Sequence, residues 1–555
     1  METRRFILAL ALSFMVFLIY VRFFAPAPPP QQTPVEPAPA SMEKKAVTAE
    51  SRIDAASLRL APASKGRDIV IETDLVRAVV NTTGGVITRW ELKHFRAASK
   101  EETGMKALWK KITGPRKKTL QDEDQGNVEL LQAPELADQR GVLYPLTLLP
   151  LNAALAPMAQ GEYRSNREAL RLDASRPKDT LVLTYAGPGG IVVEKRLTFS
   201  NDSYAVDMEI STRRLDGYSL SLGTDFGIED KVSSAAEGRV GTAALLDGKL
   251  ITEKLDKVSA EVQHAGVIEW FGHQDKYFTA VILSGGQGII TTTKKTAPKE
   301  TGDLLTTDLL VKDQAAQRTF TLYAGPKNYA LLLPQGRGLE RLIDFGWFGI
   351  LARPMFWLMN WFYSFIGNYG IAIILLTIVV RVLLFYPSLK SAKAMEEMKT
   401  IQPEMAELRE KYKKDPQRMN QEIMKLYKEK KVNPLGGCLP MLLQFPFFIA
   451  LYNVLSVSIE LRQAPFISFW IKDLSVHDPF YILPVMMGLS MILTMKLTAT
   501  TADPKQAKLF MYMNVAFIFL FAWLPAGLLL YITLSNLLSI VQQLYVRKLM
   551  ATPAS

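Results

Sequence analysis

The chain has 555 residues, 48% of them hydrophobic and 21% charged, with a mean hydropathy of +0.09; that balance excludes both an all-membrane protein and an ordinary soluble one, and leaves a mixed architecture. The 65 lysines and arginines exceed the 54 acids by +11, a surplus that reads first as membrane topology and second as attraction to acidic lipid or RNA. A single cysteine, Cys438, excludes any intrachain disulfide.

Residues 6–24 are apolar except for Ser13, Tyr20 and Arg22, and Arg4 and Arg5 precede them. A cleaved signal peptide is the alternative, but the Ala25-Pro26-Ala27-Pro28-Pro29-Pro30 stretch that follows is poor cleavage chemistry. Residues 1–24 therefore read as an uncleaved transmembrane anchor, with the N-terminus held in the cytoplasm by its arginines and the following chain exported. Residues 25–64, rich in proline and alanine without apolar periodicity, form an extended linker.

From 65 to 330 the pattern changes to alternation, as in Ile191, Val193, Lys195, Leu197 and Phe199 on one face with Val192, Glu194, Arg196 and Thr198 on the other. Similar runs at 69–73, 181–185, 204–211, 278–283, 289–293 and 320–324 are separated by turn signals such as Thr83-Gly84-Gly85, Gly187-Pro188-Gly189-Gly190 and Asn201-Asp202. A large antiparallel β-sandwich fits this pattern. The histidines His94, His264, His273 and His477 are scattered without metal-ligand spacing, so they read as surface or structural residues; no metal, cofactor or catalytic set is implied.

Residues 338–352 interleave Leu339, Leu342, Ile343 and Phe345 with Glu340, Arg341 and Asp344, the pattern of a short interfacial helix or of a plain connecting one. The apolar run 354–386 is long enough to cross a bilayer and contains Arg381. An ionised side chain in hydrocarbon costs roughly 3 kcal/mol or more, so Arg381 needs water, a partner or a task.

The segment 388–431 carries Leu389, Ala392, Met395, Met398, Ile401, Met405, Leu408 and Tyr412 at helical spacing. Asp415-Pro416 then starts a second helix bearing Met419, Ile423, Leu426 and Tyr427, which predicts a basic cytoplasmic helical hairpin. Met398, Met405 and Met419 mark its apolar face, either an adaptable surface for varied apolar segments or the face by which its two helices pack together. Further spans follow at 435–459, 479–495 and 509–545, the last split in two by Trp523-Leu524-Pro525-Ala526-Gly527. The expectation is an α-helical polytopic bundle of six transmembrane helices, with the membrane core over 354–547, both ends inside and a tail at 548–555. Lysines and arginines fall in each expected inside segment. The spans 479–495 and 509–524 would reach only ~25 Å, short of the ~30 Å hydrocarbon layer, unless their boundaries are off by a few residues.

Several long stretches in order carry a resemblance: Gly367-Asn368-Tyr369-Gly370, Thr377 to Arg381 with Tyr386-Pro387, Asn433-Pro434-Leu435-Gly436-Gly437-Cys438-Leu439-Pro440, Gln444-Phe445-Pro446-Phe447, Glu460-Leu461-Arg462-Gln463-Ala464-Pro465-Phe466, and Pro525-Ala526-Gly527 leading to Ser535-Asn536. Over about 345–547 the chain resembles the YidC membrane-protein insertase family, in its Gram-negative form with a large periplasmic domain.

The resemblance implies a multi-pass protein of the bacterial inner membrane that inserts, and helps to fold, transmembrane segments of nascent proteins. It would act alone or with the Sec translocon, without catalysis and without binding a specific nucleic acid. It implies a core of five helices around a hydrophilic groove open to the cytoplasm and the lipid, with Arg381, Thr377, Gln444 and Asn536 as groove residues. Clients would lie along the third and fifth helices, at Cys438, Phe447, Met511 and Phe517. The ribosome, signal-recognition targeting factors and the phospholipid bilayer are further implied partners. Two departures stand out: Tyr531 is followed by Ile532 where members often carry a tyrosine pair, and the tail after Lys548 lacks the long basic extension that helps some members hold ribosomes.

A small-anion transporter is the alternative class, since an intramembrane arginine equally suits an anion; the six spans show no inverted repeat or paired broken helices. A protease is disfavoured because Gly488-Leu489-Ser490-Met491 lacks the second glycine of a nucleophile motif, and Ser388 with Lys390 falls on the wrong side for exported proteins.

Overall fold

The computed structural model describes residues 66–97, 126–131, 142–230, 238–258, 261–295, 303–311, 317–413, 415–430, 432, 439–498, 512, 516 and 518–551. The expected anchor at 1–24, the linker at 25–64, the 433–438 motif and the loop at 499–508 lie outside them. The chain divides into two compact units between Ile343 and Asp344.

The first unit holds two sheets. The smaller has the order β4-β3-β2-β1-β7, from β1 (Asp68–Glu72), β2 (Val76–Asn81), β3 (Val86–Arg96), β4 (Asn127–Glu129) and β7 (Ala169–Arg171). The larger runs through β13 (Lys249–Lys254), β12 (Gly241–Leu246), β14 (Glu261–Gln274), β15 (Phe278–Lys295), β17 (Gln317–Pro326), β10 (Ala205–Arg213), β9 (Val192–Ser200), β8 (Lys178–Ala186) and β6 (Arg164–Ser165). Strands β5 (Leu148–Pro150), β11 (Tyr218–Thr224) and β16 (Leu304–Val311) join its middle. Pairing is antiparallel except between β1 and β7, where Val70 lies opposite Ala169 in a parallel ladder that the alternation does not reveal. The long connection from β1 to β7 permits the parallel return.

Rings join the two sheets: Trp90 meets Phe226 at 5.9 Å and Phe95 meets Phe278 at 5.5 Å, both edge to face. The alternation read along 191–199 holds, since Ile191, Val193, Lys195, Leu197 and Phe199 are all buried. Lys195 is the unusual member of that face. Its Nζ donates to the carbonyls of Gly84 (2.8 Å), Gly85 (3.0 Å) and Leu146 (2.8 Å) and lies 4.8 Å from the Tyr163 ring centre. Gly84 and Gly85 sit at φ +74° and +58°, the left-handed turn that aims both carbonyls at the amine. Burial pushes the Lys195 pKa down to about 7, against the pull of the three carbonyls toward the ammonium form.

The second unit is helical: α1 (Gly349–Ile366), α2 (Tyr369–Leu383), α3 (Phe385–Thr400), α4 (Gln402–Lys411), α5 (Pro416–Glu429), α6 (Leu439–Val457), α7 (Ile482–Thr498) and α8 (Ala526–Ala551). Two expectations are corrected. The segment 338–352 is not one amphipathic helix: Gly336, Arg337 and Gly338 all take positive φ, a 3-10 turn forms at Leu339–Leu342, α1 starts separately at Gly349, and Leu339, Leu342 and Ile343 are buried. Nor is 354–386 one span. Gly367, at φ +68°, ends α1 with its N–H on the Tyr363 carbonyl, and the Asn368 side chain accepts from the Ile371 N–H to start α2.

The amphipathic helix is α1, which buries Ala352, Met355, Phe356 and Met359 and exposes Ile350, Trp357, Trp361 and Phe365. Among the described helices, α8 alone is long and apolar enough to cross a membrane over Ala526–Lys548, and α2 with α3 qualifies as a pair bent by 62°. Apolar parts of α6 (Gln444–Val457) and α7 (Ile482–Met495) are shorter. The hairpin is present as the end of α3, α4 and α5. Its methionine face is the packing face: Met398, Ile401, Met405, Ile423, Leu426 and Val432 form one buried cluster, with Met419 packed against it. Met424, on the other side of α5, is half exposed.

Candidate functional site

Helices α2, α6 and α8 bring polar side chains together inside an apolar unit. Arg381 stands in the last turn of α2, where the helix dipole favours a cation. Its Nε donates to the Ser535 hydroxyl at 3.1 Å and its Nη2 to the same oxygen at 2.6 Å, with a further bond from Nη2 to the Ser535 carbonyl. Gln444 Nε2 donates to that hydroxyl at 2.9 Å, and the buried Tyr531 hydroxyl lies in hydrogen-bonding reach of Gln444 and Ser535. Tyr531 and Ser535 are one turn apart on α8, so they share a face.

Among the described residues no carboxylate lies within ion-pairing distance of Arg381, so its charge is met by neutral oxygens alone. Val382, Leu383, Phe385 and Tyr386, which flank it, are exposed apolar side chains. A guanidinium set beside such a surface and satisfied on one side can attract an anionic or strongly polar group without first breaking an ion pair.

The other expected groove residues fall elsewhere. Thr377 is fully buried, with its hydroxyl proton given to the Ile373 carbonyl at 2.6 Å on its own helix, so it packs between helices and does not line the cluster. Asn536 Nδ2 donates to the Ser490 hydroxyl of α7 at 3.1 Å, one residue round α8 from Ser535 and in a separate contact. Phe447 is half-buried on α6, while Cys438, Met511 and Phe517 lie outside the described residues. Ser535 carries most of the bonds; it stands in the Ser535-Asn536 stretch of the resemblance without being named as a groove residue, and its other signal is its spacing from Tyr531.

The opposite end of these helices is tied down by the 458–481 loop. Ala526 and Gly527, the first residues of α8, donate their N–H groups to the carbonyls of Val476 (2.7 Å) and Leu474 (3.0 Å). Asn368 Nδ2 donates to the Phe466 carbonyl at 3.1 Å, and the Phe466 ring occupies the space that a side chain at Gly370 would need. Asp478 is fully buried and accepts from Trp470 Nε1, Phe480 N and Leu483 N. Among the described residues no three His, Cys, Asp or Glu side chains come together as metal ligands.

Residues 361–553 match the family model described as 60Kd inner membrane protein, and residues 117–358 match the one described as YidC periplasmic domain. The membrane protein insertase YidC of Geobacter metallireducens is 34% identical over 99% of this chain and 99% of its own. That of Geotalea uraniireducens is 36% identical over 98% and 99%. A solved structure of an active YidC insertase with its first transmembrane domain resolved aligns with 86% of this chain and 95% of its own at 17% identity, with a TM-score of only 0.37.

Proposed function

This chain belongs to the YidC family of membrane protein insertases, and from that premise we propose that it inserts nascent transmembrane segments along a path beginning at the Arg381, Gln444, Tyr531 and Ser535 cluster. It is an inner-membrane protein with a periplasmic β-rich domain, and the family is one of insertases, not enzymes. The observation that carries the path is the Arg381 guanidinium, held by neutral oxygens and without an acid partner among the described residues. A client's polar flank has to pass a layer where a lone charge costs roughly 3 kcal/mol or more, and a fixed cation with water beside it lowers that cost for an acidic or hydrated flank. The apolar client segment meanwhile moves into lipid, which its own hydrophobicity drives.

In this reading six helices span the membrane: the 6–24 anchor, α2, α6, α7, 509–524 and α8. The termini and the hairpin lie in the cytoplasm, and α1 lies at the outer surface on its aromatic face. Clients slide along α6 and 509–524, touching Cys438, Phe447, Met511 and Phe517. Thr377 and Asn536 support the path through helix packing. The Sec translocon is the partner for larger clients. Ribosomes and targeting factors meet the hairpin and the 498–508 loop.

The test is reconstitution. Proteoliposomes of the purified full-length protein should insert a labelled short membrane protein while taking up no labelled small anion; uptake without insertion would transfer the assignment to a transporter.

A further inference from the structure

At the cytoplasmic end of the helical unit three elements meet in a cluster apart from the Arg381 site. Glu396 of α3 accepts from Lys399 at 2.8 Å and faces Arg547 of α8 at 3.7 Å. Lys399 Nζ and Arg547 Nη2 both donate to one backbone oxygen, the Leu497 carbonyl in the last turn of α7. That carbonyl is one of those a helix end leaves without an intrahelical partner, so two cations from two other helices complete α7 there. Gln542 adds a fourth tie, with its Nε2 on the Phe385 carbonyl at the start of α3.

We propose that Glu396 is a positioning residue: with Lys399, Arg547 and the Leu497 carbonyl it forms a clasp that sets the angle at which the cytoplasmic hairpin leaves the helical unit. Above the clasp, α3 joins α2 only through the 62° bend at Leu384. Beyond it, α4 and α5 pack on the end of α3 through the Met398, Ile401, Met405, Ile423, Leu426 and Val432 cluster, so the hairpin moves as a body with α3. A 16-residue helix is ~24 Å long, and a swing of ~10° about its start moves its far end by ~4 Å. The clasp grips α3 near that far end, where it resists such a swing most.

The cluster also holds a spare acceptor. Gln543 Oε1 lines the same pocket as Glu396, Lys399 and Arg547 and is buried without a hydrogen-bond partner among the described residues. A buried acceptor left idle is costly, and Lys399 and Arg547 are donors lining the same pocket. The charged side chains are 20% (Lys399), 27% (Glu396) and 37% (Arg547) exposed, which leaves them reachable by solvent and salt.

The proposal rests on the insertase reading only for its activity arm. For the distance arm alone, with the full chain in nanodiscs and Cys438→Ser as background, spin labels at Met424→Cys on α5 and Tyr545→Cys on α8 report the hairpin's distance from the unit; the insertion arm uses the chain that keeps Cys438. The unaltered clasp should give one dominant distance. Glu396→Gln and Lys399→Met should each shift or broaden it by ~4 Å or more, Glu396→Asp should keep it, and insertion by the Gln variant should fall several-fold. An unchanged distance in both the Gln and Met variants overturns the clasp. A changed distance with normal insertion supports the clasp and removes the hairpin's angle from the insertion mechanism. Two variants on different partners guard against a folding defect in either one.

Discussion

Arg381 and Ser535 are 154 residues apart in sequence, yet two guanidinium nitrogens of the one converge on the hydroxyl of the other, at 3.1 and 2.6 Å. The cation is therefore fixed in direction, braced by α8 on one side.

Replacing Arg381 separates a working charge from an arginine that reaches for the interface. Arg381→Lys should keep insertion. Arg381→Ala and Arg381→Glu should lower it, by about tenfold (~1.4 kcal/mol) for a client with an acidic exported tail and by less once that tail is neutralised. Insertion of one client with and without its acidic residues is the measurement; equal, near-normal insertion of both by the alanine variant would falsify the groove-charge mechanism.

The hairpin's methionines should matter as packing. Met398→Leu, Met405→Leu and Met419→Leu together preserve the apolar cluster and should cost less than ~1.5 kcal/mol each, with insertion retained. The three aspartate replacements bury unpaired charge and should abolish both insertion and the hairpin's protease resistance. Limited proteolysis beside the insertion assay reads both, and a leucine variant as inactive as the aspartate one rejects the packing account.

Insertion should survive loss of the β-unit, because the proposed path lies wholly in the helical unit. The cut has to take residues 66–343 together. A shorter excision such as 104–300 would strand β16 and β17, whose partners are β11, β15 and β10, and leave open strand edges that invite aggregation. A short client should still insert; failure at normal membrane levels of the truncated protein would place part of the path in the β-unit.

Lys195 gives the β-unit a pH signature. Its pKa is lowered in the folded state, to about 7 from an ordinary 10.5, so the unfolded chain binds more protons between those values and stability rises with pH across that window. Against Lys195→Met, the native protein should gain stability from pH 7 to 10, read by pulse proteolysis of the full-length protein in detergent. A flat difference would mean the three carbonyls hold the ammonium charged throughout. The methionine variant should itself be less stable, by ~1–3 kcal/mol for each carbonyl left unpaired.

Local signals carried what local physics decides. The strand at 191–199 was legible because alternation is enforced residue by residue, and the Asp415 cap of α5 because its side chain bonds its own helix, at Arg418 N. The break at Gly367-Asn368 was not, because a glycine and an asparagine in an apolar run look like any polar interruption until the backbone turns. Leu339, Leu342 and Ile343 read as an interfacial face because amphipathicity does not say whether an apolar face meets lipid or protein, and here the three side chains are buried in protein. Of the cluster, the sequence pointed to Arg381, whose charge is anomalous where it stands, and the resemblance added Gln444. Ser535 is an ordinary hydroxyl on an apolar helix, and only tertiary packing makes it the hub.

The composition of that hub bears on energy conversion. Proton relays through membranes are built from carboxylates and imidazoles that accept and release protons near neutral pH. The Arg381 cluster consists of a guanidinium, an amide and two hydroxyls, and an arginine in a narrow polar passage repels hydronium electrostatically. Among the described residues that cluster contains neither a carboxylate nor an imidazole. On the insertase reading proposed above, such a composition would let the protein admit a client's polar flank without adding a carboxylate or imidazole relay across the energised membrane.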